Sequence, residues 1–125
     1  MSRVSLGLGL SSGATRSEVL DLACRTLARA GYDLWSVSVV STREVFAGDR
    51  RVSLGPPIVS IDDATLVDKH PAIRTSGRVP RFDARVAEGC ALEGAGPGAA
   101  LVVSTQRSPH ATAAVAVASA RVTSP

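Results

Sequence analysis

Residues 3–31 read RVSLGLGLSSGATRSEVLDLACRTLARAG, and this stretch decides the fold. Its opening, RVSLGLGL at 3–10, alternates and is strongly apolar, which predicts a buried first strand. Gly7 and Gly9 mark a close backbone approach near the strand's end. Ser11-Ser12-Gly13-Ala14 is a loop, and Thr15 with Glu18 three residues later has the spacing of a capping box. A helix should run from there to Ala30 and stop at Gly31. Val19, Leu20, Ala23, Leu27 and Ala30 share its dry side, while Ser17, Asp21, Arg25 and Arg29 form the wet one.

Working outward, residues 35–41 (WSVSVVS) predict a second strand, followed by a short helix near 44–51. Gly55-Pro56-Pro57 punctuates before a third strand at 58–61, after which Asp62 caps a helical turn over 63–68. Periodicity fails from Lys69 to Arg81, the signature of a loop long enough to be functional. Residues 83–93 predict a helix with Val86, Ala87, Cys90 and Ala91 inward. A fourth strand at 99–105 reads as fully buried, and 106–110 is a turn into a fifth at 112–118. That turn has no room for a crossover helix, so the last two strands pair as an antiparallel hairpin. The expected fold is α/β: a single three-layer α/β/α domain over 1–125, with a mostly parallel five-stranded mixed sheet.

Composition narrows the function. The net charge is +3, from 14 basic and 11 acidic residues spread along the chain, and the only aromatics are Trp35, Tyr32, Phe46 and Phe82. A nucleic-acid binder needs a clustered basic stripe or exposed stacking rings, so nucleic acid is not an expected partner. No apolar run approaches the ~20 residues that span a bilayer, and no secretory leader is legible, so a cytoplasmic, membrane-free protein is expected. Cys24 and Cys90 are far apart, and both are read as small buried hydrophobes in a reducing compartment. His70 and His110 are isolated, and no spacing suggests a metal.

Three constellations could carry chemistry. Gly7, Gly9 and Gly13 lie between strand and helix, where backbone N–H groups can receive an anion. The third glycine is one place late for a dinucleotide fingerprint, and no cofactor is expected. A tight connection and a carboxylate-binding loop both remain open readings. Second, polar residues gather at the predicted carboxyl ends of parallel strands, the edge where open α/β sheets bind ligands. The candidates are Gly9, Ser11, Ser12, Gly13 and Thr15 after strand one, Thr42 and Arg43 after strand two, and Thr105, Gln106 and Arg107 after strand four. Third, Glu44 and Glu88 are the candidate general bases, although a mid-helix glutamate is ordinarily a solvated face.

The order of these segments resembles the cobalamin-biosynthesis CobE family, also found as the C-terminal domain of CbiG proteins. The matching stretches are LGLGLSSGAT-x-x-EV at 6–19, VVST at 39–42, RVAEGCALEGAGPGAALVVS at 85–104 and TAAVAVA at 112–118. The resemblance matches Gly7, Gly9, Thr15, Glu18, Thr42, Glu88 and Thr112 to family positions. It departs where many relatives carry Lys and Glu after the second strand, here near Phe46 and Asp49, and Lys after the fourth, here Thr105 with Arg107 nearby. It implies a precorrin or corrinoid intermediate as ligand, and other corrin-pathway enzymes as partners. It further implies either a stand-alone carrier or accessory protein or, as in CbiG relatives, a hydrolase that opens a precorrin δ-lactone and releases a two-carbon fragment. A regulatory protein without a ligand is a third possibility. Such ligands are polycarboxylates on a broad ring, for which Arg43, Arg74, Arg78, Arg81 and Arg107 could form a rim under the 69–81 loop.

Overall fold

A computed structural model describes residues 2–69 and 84–119. Five strands form one sheet: β1 (Ser2–Leu10), β2 (Val39–Arg43), β3 (Ile58–Ile61), β4 (Ala100–Ser108) and β5 (Ala111–Ser119). The helices are α1 (Arg16–Ala28), α2 (Asp63–Lys69) and α3 (Ala84–Ala95). The order across the sheet is β3-β2-β1-β5-β4. β1, β2 and β3 pair in parallel, and β5 runs antiparallel to both β1 and β4. Four strands therefore point one way and β5 alone reverses. The expected three-layer α/β/α architecture is present, with the closing hairpin wedged beside β1.

Strand alternation separates two cores. On one face Val4, Leu6, Leu8 and Leu10 of β1 meet Val19, Leu22 and Leu27 of α1, together with Ala113 and Val115 of β5. On the other face Ala114, Ala116 and Ala118 meet Ala87, Ala91 and Ala95 of α3. The second face is built from small residues, and this sets the spacing. A Cβ on Gly7 would land on the Ala87 carbonyl and lie 2.7 Å from the Ala91 nitrogen. Gly7 therefore serves helix–sheet contact, with its φ on the ordinary negative side.

Several expectations are corrected. β2 starts at Val39, not Trp35, because Asp33 closes a 3₁₀ turn over Leu34–Ser36: its carboxylate accepts the Ser36 N–H at 3.1 Å. That local bond outcompetes the β-propensity of the segment and leaves Trp35 95% exposed. The expected helix at 44–51 is two short 3₁₀ turns, Glu44–Phe46 and Arg50–Val52. Cys24 is exposed, since the buried stripe of α1 is Val19, Leu22, Ala23, Thr26 and Leu27. β4 is an edge strand, longer than expected and largely open, with Val102 47% exposed. β3 and α2 fall where expected, with Asp62 accepting the Thr65 N–H at 2.7 Å. The proposed 69–81 loop beyond Lys69, with Arg74, Arg78 and Arg81, lies outside the described residues.

Candidate functional site

β1, β2, β3 and β4 all end at one edge of the sheet, where β5 begins: Leu10 pairs with Ala111 there. The loops after these strands and the N-terminus of α1 share that edge. The sequence candidates are distributed over five places around it.

On the α1 side stand Ser11, Ser12, Gly13 and Thr15. Thr15 caps α1, its hydroxyl oxygen accepting the Glu18 N–H at 3.1 Å. Only half of the expected capping box forms. The Glu18 carboxylate turns away from the cap to the β4–β5 hairpin, accepting from the Ser108 hydroxyl and, at 2.7 Å, from the His110 N–H. The Ser108 hydroxyl first and the His110 amide second hold the Glu18 carboxyl below its ordinary value. The His110 ring packs on Gly13, where a Cβ would meet it at 2.9 Å. Ser11 Oγ lies 3.5 Å from His110 Nδ1 and donates to the His110 carbonyl at 3.3 Å. A serine, a histidine and a glutamate thus meet, but the carboxylate binds the histidine main chain instead of its ring. The cluster fastens the hairpin to α1; it does not relay a proton. Arg51 completes this side, donating to the Ser11 and Ala14 carbonyls at 2.9 and 3.0 Å and pairing with Asp49 at 2.6 Å.

On the α3 side stand Gly9, Arg43, Glu88 and Thr105. The Arg43 guanidinium forks onto Asp63 with contacts of 2.9 and 2.8 Å, and this pairing raises the arginine and lowers the aspartate. Glu88 accepts both the Thr105 N–H and the Thr105 hydroxyl at 3.0 Å. Thr105 lies where the β4–β5 register shifts, so Glu88 satisfies an amide that the ladder leaves out. Thr112 lies beside Gly9, whose Cβ would come within 2.6 Å of the threonine hydroxyl. That hydroxyl is buried and has no hydrogen-bond partner among the described residues. Cys90 is buried here as expected, and burial pushes its thiol up to about 12.

Thr42 is fully buried, donating to the Leu8 carbonyl at 3.0 Å, which ties β2 to β1. Glu44 is exposed on the 3₁₀ turn after β2. Gln106 and Arg107 sit apart from both groups, on the flank where β4 meets α1, beside Arg25 and Arg29. Glu18, Ser108, His110, Arg51, Arg25 and Arg29 were not singled out as site residues. Glu18 was legible only as a cap, and the others carried no local pattern. Among the described residues no group of three or more His, Cys, Asp or Glu is placed to hold a metal ion. None of the described helices is long and apolar enough to cross a membrane.

No protein-family model and no curated protein matches the sequence. Solved structures do. CobE, a protein from the cobalamin (vitamin B12) biosynthetic pathway, is 26% identical with a TM-score of 0.73, over 93% of this chain and 90% of that one. The cobalamin biosynthesis protein chiG from Agrobacterium tumefaciens str. C58 is 21% identical with a TM-score of 0.67, over 93% and 98%. A putative cobalamin biosynthesis protein G homolog from Sulfolobus solfataricus is 19% identical with a TM-score of 0.70, over 94% of this chain and 37% of that one. The last two establish likeness of fold. With the segment order, the CobE match spanning nearly both chains supports a likeness of this chain to the CobE/CbiG-like family.

Proposed function

We propose that this protein acts in cobalamin biosynthesis by binding a precorrin or corrinoid intermediate, as a stand-alone, single-domain carrier or accessory protein of the cytoplasm. The observation that carries the reading is the CobE match over 93% of this chain and 90% of that structure. Geometry favours binding over hydrolysis. Glu44 follows β2 and Glu88 is held at β4, with β1 and β5 between them. Three strand spacings amount to roughly 14 Å, too far for an acid and a base to share one scissile bond. Both carboxylates are also placed for other work or for solvent. The two free thiols, on helices covering opposite faces of the sheet, suit a reducing compartment. Other corrin-pathway enzymes would deliver and collect the ligand.

Spectral titration tests the reading. A corrinoid bearing free carboxylates should shift its visible bands saturably on adding the protein, and a lactone-bearing intermediate should release no acetaldehyde. Absence of any shift removes the carrier reading, and catalytic acetaldehyde release replaces it with the hydrolase.

A further inference from the structure

Arg25 in the last turn of α1 and Arg29 at its C-cap stand four residues apart, and Arg107 reaches the same place from β4. Together they line one cleft of about 140 Å³ between the helix and the edge strand, with Leu22, Thr26 and Gln106 as its floor. Like charges at this helical spacing repel, so the arrangement costs stability unless something answers it. Asp21 answers Arg25 alone, at 3.0 Å. Arg29 and Arg107 have no ion pair or side-chain hydrogen bond among the described residues. Three guanidiniums against one carboxylate leave two positive charges unanswered.

The volume is that of about four or five waters, at roughly 30 Å³ each. It admits an anionic substituent and excludes a ring. Guanidinium forks match carboxylate oxygens two at a time, and here they approach from two elements, so two carboxylates can be gripped at once. The cleft floor is firm: Leu22 and Thr26 are fully buried, and the Thr26 hydroxyl is spent on the Leu22 carbonyl at 2.7 Å.

We propose that this cleft between α1 and β4 is a carboxylate clamp, in which Arg25, Arg29 and Arg107 hold the peripheral carboxylates of the ligand while its ring lies outside on the flank. The assignment of that ligand rests on the corrinoid reading above. The clamp is separate from Arg43, whose guanidinium is committed to Asp63.

The test titrates the full chain with a corrinoid whose peripheral groups are free carboxylates, and with the same ring carrying them as amides. Arg29→Ala and Arg107→Ala should each weaken binding of the acid ring at least tenfold and leave the amide ring unchanged. Arg50→Ala, an exposed arginine near the β2–β3 side, should leave both unchanged. If the acid ring binds the wild type and the two clamp variants equally well, or if Arg50→Ala weakens it as much, the clamp is overturned while the corrinoid reading stands. If neither ring binds the wild type, the corrinoid reading fails and citrate becomes the probe. Saturable citrate shifts of the residue 25, 29 and 107 amides by NMR, abolished in Arg107→Ala, keep the clamp as a polycarboxylate site; no shift overturns it.

Discussion

The Thr112 hydroxyl is the one buried side-chain polar atom without a partner among the described residues, on a residue only 3% exposed. Leaving such a group unsatisfied costs about 1–3 kcal/mol, while replacing it by an apolar group of the same shape removes that cost. Thr112→Val should therefore raise stability by about 1 kcal/mol, read as a higher urea midpoint at unchanged slope. A lower midpoint would mean that the hydroxyl is satisfied in solution, for which a trapped water is the simplest agent. Arg51 illustrates the opposite bookkeeping. Its donors go to Asp49 and to two main-chain carbonyls of the β1–α1 loop, so an arginine that looks like surface charge in the sequence shapes a loop.

At the scale of elements, α3 lies close to the sheet because small residues face each other. Gly7 and Ser5 of β1 and Ser41 of β2 meet Ala87, Ala91 and Gly94 of the helix; a Cβ on Gly94 would lie 2.6 Å from the Ser5 hydroxyl. Serine hydroxyls are tolerated there because Ser5 and Ser41 bond each other at 2.8 Å. Adding bulk forces backbone apart from backbone, which yields far less than a side-chain tip. Gly7→Val should cost about 3 kcal/mol or more, at the upper end for overpacking. Chemical denaturation measures it, and a loss below 1 kcal/mol would show that α3 can ride outward without harm.

Four carboxylates across the molecule are held by hydrogen bonds in the folded chain. Glu18 ties α1 to the hairpin, Asp49 holds Arg51, Asp62 caps α2 and Asp63 binds Arg43 of β2. All four are lowered by their hydrogen-bonding partners, Asp49 to about 2 through Arg51. The unfolded chain, with ordinary values of 3.8 and 4.5, then binds protons at higher pH than the folded one does. The stability these groups contribute is complete above the unfolded values and is lost as pH falls through the folded ones. Melting temperature should be level from pH 7 to about 5 and fall continuously toward pH 2, with Asp49→Asn flattening the most acid part. A level profile down to pH 2 would dismiss these contacts as stabilising.

Element type was legible at several places where the signal was local, although the local Asp33–Ser36 turn is formed where a strand was expected. Gly55-Pro56-Pro57 and the Asp62 cap placed β3 and α2, Thr15 placed α1, and the short turn ahead of β5 imposed the hairpin. These follow from backbone sterics and hydrogen bonds within a few residues, which any surrounding fold must respect. Tertiary structure alone decided who meets whom. The apolar run in β4 cannot say that it lies at the edge of β3-β2-β1-β5-β4, because burial depends on sheet order and not on residue type. Glu18 reads as a cap partner until the hairpin arrives with two better donors from 90 and 92 residues away. Of the candidate site, the shared edge at the strands' carboxyl ends was foreseeable from the alternation of strands and helices. The separation of Arg43 from Arg107, and the gathering of Arg107 with Arg25 and Arg29, arise only when α1 packs across β4, since no term along the chain couples residues so far apart.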